Sequence, residues 1–423
     1  MEAEWIMRRM RDYLLGEKGA ITFEPTRSIE FPTVSRADLY LHIPFCRSLC
    51  PYCPYNRILY DEKMIPPYLN AVLAEIDAWH ARLGSIEIGS VYIGGGTPTT
   101  MLDEMPQILE RLRERFVVSG DIAIETIPTD LNEESVRRLR ECGINLLSIG
   151  VQSFNDRYLK SLGRPYHADI LEPALSTALS AGFGTVNVDL MFALPGQTTE
   201  EALADLHKTI ELGVDQITLY PLFTFSYSAI GRHIELKDVR FPRLLVRRNM
   251  YRAIHNTALS SDLERVSVWG FKREAVPKFS SVTRDDYIGI GAGAGSCLPG
   301  VFFFNTFSVP EYIEASDGKN LPVALKSEMS PALENYYWLY WRLYETRVPK
   351  RELARRFGND VKIRWMFRQG KALGMLAEEA ECYVLTERGS FWIHLIQNYY
   401  VLNYIDKLWT RAIQEPWPGR IEL

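Results

Sequence analysis

The sequence predicts an α/β protein built on a parallel sheet, and three observations predict it. From Asp38 to about Pro221 strand and helix patterns alternate six times. A polar or glycine signature stands at the strand ends, where parallel sheets carry their chemistry. Beyond Pro221 the alternation stops and an aromatic-rich unit takes over. The sheet reads as either curved or doubly wound.

Residues 1–37 read as an N-terminal arm. Trp5, Met10 and Leu14 can make one helical stripe, and the stretch around Pro25 and Pro32 is extended and packs outside the main domain. Residues 39–43 are a short apolar strand. It runs into YLHIPFCRSLCPYCPYN (40–56), where Pro44, Pro51 and Pro54 exclude a helix interior or a central strand. This stretch is a loop. A helix follows from about Pro66, with Leu69, Val72, Leu73, Ile76 and Trp79 at helical spacing. Residues 90–93 form a strand ending in Gly94, Gly95 and Gly96, then Thr97 and Pro98. Ile108, Leu109, Leu112 and Phe116 mark the next helix. Strands at 122–125, 145–151, 185–190 and 216–220 alternate with helices at 132–142, two stretches up to Ala181, and 199–212, the last capped by Thr199.

Composition narrows the function classes. The chain has 423 residues, 47% hydrophobic and 24% charged, as expected of a globular protein with one large and one smaller domain. A net charge of −5 argues against a general nucleic-acid binder. No apolar run approaches the roughly 18 residues of a membrane span, and the N-terminus lacks a signal-peptide core. The six cysteines form no disulfide framework, which points to the cytoplasm.

Three of those cysteines, Cys46, Cys50 and Cys53, share one loop in a C-x3-C-x2-C spacing. A structural zinc site takes four ligands, whereas a cubane iron–sulfur cluster held by three thiolates leaves one iron open to a ligand. A zinc module completed by a distant histidine is the alternative. The rim residues favour the cluster. Gly94 to Gly96 expose backbone, Glu125 and Asp189 supply carboxylates, Gln152 follows the fourth strand and Arg164 supplies a guanidinium. Glycines let backbone approach an α-amino group, and an Arg fork matches an α-carboxylate. Together they describe a site for a zwitterionic amino acid beside a cluster.

These stretches, with LLSIGVQSFNDRYLKSLGRPYH, VNVDLMFALPGQT, YIGIGAGAGS and LTERGSFW, span about residues 38–395. The sequence resembles the radical S-adenosylmethionine (SAM) superfamily, in the branch of oxygen-independent coproporphyrinogen III oxidase. The resemblance implies a partial (β/α)6 TIM-like barrel at 38–221, a [4Fe-4S] cluster on Cys46, Cys50 and Cys53, and two SAM molecules. It places Tyr40, Gly95 and Glu125 on the cluster-bound SAM. Tyr52, Gly96, Thr97, Gln152, Arg164 and Asp189 would line the second, closed over by the run 289–296 that includes Gly295. It also implies an electron donor such as flavodoxin or ferredoxin, a small-molecule substrate and a monomer. His42, Cys142 and Cys297 read as packing residues.

The accessory α+β domain divides into a segment at 222–330 and a lid at 331–423. A helix between residues 241 and 262 uses Leu245, Met250, Tyr251 and Ile254, and 265–269 is a strand. Tyr336, Tyr337, Trp338, Tyr340, Trp341 and Tyr344 form a stripe packed mostly between domains. Residues 349–400 resemble a winged-helix module. Its basic residues Lys350, Arg351, Arg355 and Arg356 are offset by Glu345, Glu352 and Asp360, a solvated face rather than a DNA surface. Three chemistries share the family frame. The decarboxylase has a fourth cysteine where Tyr55 stands, and the haem chaperones carry an HNxxYW-type motif whose histidine NYYW at 335–338 lacks. The expectation is therefore class C methyl transfer or cyclopropanation at an sp2 carbon, in natural-product or haem metabolism. Decarboxylation of a porphyrinogen and a non-catalytic haem carrier are the alternatives.

Overall fold

Parallel strands need crossover connections, and the alternating pattern supplies a helix for each. In the computed structural model, which describes residues 21–223, 225, 228, 241–280 and 285–423, six such strands lie side by side in chain order. They are Arg36–Ile43, Glu87–Gly95, Ile122–Thr126, Leu146–Gln152, Thr185–Phe192 and Gln216–Pro221. Each pairs in parallel with the next. The helices Ile65–Leu83, Met105–Arg115, Glu133–Glu141, Asp156–Ser161, Leu171–Ser180 and Thr199–Glu211 fill the crossovers. Local signals set their starts. Pro66 and Pro67 occupy the first turn of the first helix, and Asn132 with Ser135 makes a reciprocal cap on the third. Thr198, not Thr199, caps the last: its hydroxyl accepts from the Glu201 amide while Glu201 reaches back to the Thr198 amide.

The six-stranded unit is not closed on itself; its sheet continues at both ends. A hairpin of Leu263–Arg265 and Gly270–Arg273 adds its second strand antiparallel to the sixth strand. The expected strand at 265–269 is therefore mostly the turn of this hairpin, closed by the Ser267 hydroxyl accepting from the Gly270 amide at 2.8 Å. At the other end, Tyr287–Ile290 pairs in parallel with the first strand, setting Gly289 opposite Tyr40. Antiparallel strands Gly295–Leu298, Val301–Asn305 and Val323–Glu328 follow. Thr22–Pro25 then joins the sheet between Val323–Glu328 and Ile421–Glu422. The N-terminal arm thus contributes a strand instead of only covering the outside. The proposed stripe of Trp5, Met10 and Leu14 lies outside the described residues.

The helix Leu244–Leu259 buries Met250, Tyr251 and Ile254, but Leu245 is 77% exposed and does not belong to its apolar face. A separate three-stranded sheet of Arg347–Pro349, Cys382–Leu385 and Leu376–Glu378 stands beside helices Lys350–Phe357 and Val361–Ala372. Trp338, from the helix Pro331–Tyr344, is buried with Val348, Leu353, Ile363 and Phe367 in the core of this module. So the most buried aromatic residue of the stripe packs within the module and not between domains. On its surface Glu352 pairs with both Arg355 and Arg356, and Lys350 pairs with Glu378. Among the described residues no helix is long and apolar enough to cross a membrane.

A buried carboxylate fastens the added strands to the six-stranded unit. Glu75, on the first helix, accepts from the Gly291 amide (2.9 Å), Asn305 Nδ2 (2.7 Å) and the Tyr312 hydroxyl (2.6 Å). Removing it strands three buried donors at about 1–3 kcal/mol each. Glu75→Ala should therefore lower stability by at least about 3 kcal/mol in denaturant titration. Burial raises the Glu75 carboxyl from 4.5 to about 7 despite those three bonds. The folded chain then holds a proton that the unfolded chain has lost, so this contribution is full below about pH 4.5 and disappears as pH rises through about 7. The stability of the wild type minus that of Glu75→Gln should fall across this window; a flat difference would mean Glu75 is ionised throughout.

Candidate functional site

The site begins where the first two strands end. The amides of Gly96 and Thr97 donate to the carbonyls of Ile43 (2.7 Å) and Phe45 (2.8 Å), so the glycine turn continues the pairing into the cysteine loop. A side chain would not fit here. A Cβ on Gly96 would lie 2.7 Å from the Phe45 oxygen and 3.0 Å from Cys46 Sγ. Gly95 has a φ of 119° and equally close neighbours in His42 and Ile43. The Thr97 hydroxyl lies 3.5 Å from Cys46 Sγ.

The loop is fastened along its length. Phe45–Cys46 pairs with Ile58–Leu59, Arg57 donates to the Cys50 carbonyl at 2.6 Å, and the Cys53 amide closes a turn on Cys50. His42 Nε2 donates to the Asn56 carbonyl at 2.8 Å, which leaves Nδ1 to accept from the Tyr40 hydroxyl at 2.7 Å. That tautomer follows from the carbonyl being an acceptor only. Asn56 Nδ2 in turn reaches the carbonyls of Ala292 and Phe307, tying the loop to the glycine run. His42, read from sequence as packing, is thus a strut between Tyr40 and the loop.

The strand register puts a row of polar side chains on one face. Tyr40 sits beside Tyr92, Glu125 beside Ser148, Ser148 beside Asn187, and Asp189 beside both Gly150 and Thr218. Tyr92 donates to Glu125, which also accepts from the Gly95 amide at 3.3 Å. Asp189 accepts from Ser148 (3.1 Å) and Asn187 (3.0 Å). Burial pushes Glu125 up to about 7 and Asp189 up to about 6, and neither has an ion-pair partner among the described residues. Gln152 holds a φ of 71°, strained for a residue with a side chain, and accepts from the Tyr220 hydroxyl at 2.9 Å. The Arg164 guanidinium lies 5.6 Å from the Tyr52 ring and 5.9 Å from Tyr166, and its enclosed Nε has no hydrogen-bond partner. Gly150 leaves room for it: a Cβ there would meet Arg164 at 3.5 Å and Gln152 at 3.1 Å.

The predicted residues therefore largely converge. Tyr40, Gly95 and Glu125 cluster around the first two strand ends, and Tyr52, Gln152, Arg164 and Asp189 around the fourth and fifth. Gly96 and Thr97 face Cys46 more closely than either group. Gly295 stands in a strand, where a Cβ would meet the Phe304 ring at 2.9 Å. Sequence reading passed over Tyr92, Ser148, Asn187, Tyr220, Asn56 and Arg57. A signal existed for four of them: each is polar at an alternate position of a strand whose neighbours are apolar. Tyr55, in the position of the missing fourth cysteine, lies 6.3 Å from the Trp409 ring, against which Phe225 stacks at 6.3 Å.

These residues fit a thiolate-held cluster carrying a zwitterionic ligand. Burial raises the thiols of Cys46 and Cys53, the latter to about 11, and each is close enough to Cys50 for its charge to add to the effect. Bare thiolates are disfavoured there, and bonding to iron is what would hold them ionised. Among the described residues no three His, Cys, Asp or Glu side chains form a cage for a single ion. A cubane takes each thiolate on a different iron, so its thiolates need not converge on one point. The unpartnered Arg164 suits a carboxylate, and the two uncompensated carboxylates suit amino or hydroxyl groups.

Three substitutions test this geometry. Gly96→Ala should push the loop away from the turn, so that reconstituted protein loses most of its iron while its far-ultraviolet circular dichroism is unchanged. Arg164→Ala or Asp189→Ala should keep the iron and weaken SAM binding by about tenfold or more in equilibrium dialysis. Iron lost in parallel with SAM binding would make these two residues supports of the loop and not ligand contacts.

Comparison with known proteins gives a consistent family and corrects the reaction. The radical SAM superfamily model matches residues 40–208. The fold superimposes on coproporphyrinogen III oxidase (HemN) of Escherichia coli with a TM-score of 0.72, covering 88% of this chain and 91% of that one at 21% identity. The haem chaperone HemW of Bacillus subtilis is 26% identical over 76% of this chain and 87% of its own length. HemW of Escherichia coli K12 is 27% identical over 86% and 97%, and anaerobilin synthase of Escherichia coli O157:H7 is 27% identical over 84% and 81%. Relatives matched over most of their length are thus named haem chaperones or an anaerobilin synthase and none a methyltransferase, and the expectation of class C one-carbon transfer is withdrawn. Its motifs are those that handle SAM, which do not encode the substrate. The partial barrel is the HemN fold, and the cofactors that go with it are a [4Fe-4S] cluster and SAM. The trithiolate loop and the glycine turn both lie within residues 40–208, the span that matches the radical SAM superfamily model.

Proposed function

We propose that this protein binds a tetrapyrrole of the haem or porphyrinogen class and acts on it as a radical SAM enzyme. What supports the reading is the buried polar face of Glu125, Gln152, Arg164 and Asp189 beside the cysteine loop, in a chain whose long-matched relatives include haem chaperones. When bound, the cluster supplies the electron that cleaves SAM to a carbon radical able to take hydrogen from a C–H bond. The chain's residues orient and enclose. Tyr40, Gly95 and Glu125 hold one SAM; Tyr52, Gly96, Thr97, Gln152, Arg164 and Asp189 with the run around Gly295 line a second. Tyr55, Trp409, Phe225 and Phe307 form an aromatic group suited to a flat ring, with Phe307 6.2 Å from Trp409. Residues 38–221 form the catalytic unit, 222–330 its accessory segment and 331–423 a lid. The setting is the cytoplasm, as a monomer served by a flavodoxin- or ferredoxin-type donor.

The names of the HemW relatives favour a second reading, a haem carrier without turnover. Anaerobic protein given SAM, dithionite and either haem or coproporphyrinogen III separates the two. We expect a Soret shift or saturable porphyrinogen binding, with 5′-deoxyadenosine formed several-fold faster than without tetrapyrrole. Haem bound with no acceleration would favour the carrier. Binding of neither ligand would sink both readings.

A further inference from the structure

One polar pair outside the cluster site is buried without the partners its chemistry demands. Arg247, on the helix Leu244–Leu259, donates to His394 Nε2 at 2.7 Å across from the helix Glu387–Tyr400. A guanidinium has no acceptor, so His394 Nε2 must be the bare nitrogen and the proton sits on Nδ1. His394 is 1% exposed, and its Nδ1 has no hydrogen-bond partner. The Nε of Arg247 is enclosed and also unpartnered. Two buried N–H donors and one guanidinium charge therefore stand together with nothing accepting them.

Among the described residues no carboxylate pairs with Arg247. Glu387 is held by Arg248 through both oxygens, and Gln397 Oε1 accepts from Trp269 Nε1 at 3.2 Å. The walls are aromatic: Trp269 stands edge-on 4.5 Å from the His394 ring, and Phe223 lies 6.2 Å away. Phe223 follows the sixth strand by two residues and Tyr220, whose hydroxyl holds Gln152 in the SAM-handling face, by three. Through Phe223 the pair thus borders the carboxyl end of the sixth strand.

We propose that Arg247, held in place by His394, binds a carboxylate of the substrate, one of the propionate side chains a tetrapyrrole carries. The inference rests on the tetrapyrrole reading for the identity of the ligand. The carboxylate receives Arg247 Nε–H, a charge-assisted bond that an esterified side chain cannot match, while His394 Nε2 accepts from the same guanidinium and fixes its direction. The bound carboxylate fixes the orientation of the ring and takes no part in the chemistry, so both are positioning residues.

Titration of the full-length reconstituted protein with haem and with haem dimethyl ester tests this. The wild type should bind haem about tenfold to a hundredfold more tightly than the ester. Arg247→Gln should abolish that preference while leaving affinity for the ester within about twofold. Should Arg247→Gln fail to fold, His394→Gln is read in the same way. Equal affinities in the wild type, or a variant that weakens both ligands alike, would overturn the proposal and leave the pair as a strut between helices. If the wild type binds neither ligand, the tetrapyrrole reading falls. The carboxylate site is then decided by 15N-histidine NMR with free propionate. A His394 shift that Arg247→Gln removes upholds it, and no shift overturns it.

Discussion

The structure depends on the close approach of two backbones at the ends of the first two strands. Strand pairing there does not stop at the end of the sheet but runs on through Gly96 and Thr97 into Phe45, one residue before the first loop cysteine. Glycine is required because the space a Cβ would occupy already holds a carbonyl oxygen and a thiol. The consequence is mechanical. The loop takes its position from the most rigid part of the sheet, while His42, Arg57 and Asn56 fix its far end. A trithiolate held this way bears on a cluster without a helix or a disulfide to support it. The same turn presents the Gly95 amide to Glu125, so cluster loop and ligand face share one anchor.

The second constraint is the cost of the inner face. Strands buried on both sides normally read as unbroken apolar runs, because an unpaired buried polar group costs about 1–3 kcal/mol. This sheet instead carries Tyr92, Glu125, Ser148, Asn187, Asp189 and Tyr220 on one face. Hydrogen bonds satisfy much of this face: Asn187 bonds Ser148 and Asp189, Thr218 bonds Asn187, and Tyr92 bonds Glu125. What the carboxyls lack is an opposite charge in contact. Glu125, Asp189 and Arg164 remain without ion pairs among the described residues. Two raised carboxyls and a lone guanidinium destabilise the empty protein and are offset when a ligand of opposite charges arrives. Binding and folding are linked by that arrangement.

Much of this was legible from the sequence, and the limits have physical causes. Period-two and period-3.6 patterns located the six strands and their helices because each element buries one face against the next. The thiol spacing and the glycine run were readable because each residue type meets a local demand. The register was not. That Tyr92 reaches Glu125, or that Asn187 and Ser148 both hold Asp189, depends on how neighbouring strands are staggered, which no single strand encodes. The strand misplaced at 265–269 shows the same limit. Val266 and Val268 look like strand residues, yet the Ser267 side chain bonds the Gly270 amide and turns the chain. The cap at Thr198 was missed by one residue because two adjacent threonines have equal propensity, and only backbone geometry separates them.

The reaction was misjudged for a related reason. The residues that the resemblance assigns to SAM lie on strand ends next to the cysteine loop, where geometry forces them into short motifs. Such motifs are common to every chemistry the same cofactors support, so they point to the superfamily and stop there. The aromatic group proposed to meet a flat ring comes from elsewhere. Tyr55 belongs to the loop, Phe225 follows the sixth strand, Phe307 follows an accessory strand and Trp409 sits in the C-terminal helix, yet their rings meet. No spacing in the sequence links them. The loss of one cysteine at position 55 was read as the loss of an activity. In the fold that position holds an aromatic ring 6.3 Å from Trp409, apart from the polar face of Glu125 and Asp189. The aromatic group is therefore assembled by side chains converging from distant segments, whereas the cysteine loop is placed by local backbone pairing at a glycine where a Cβ would meet a carbonyl oxygen at 2.7 Å.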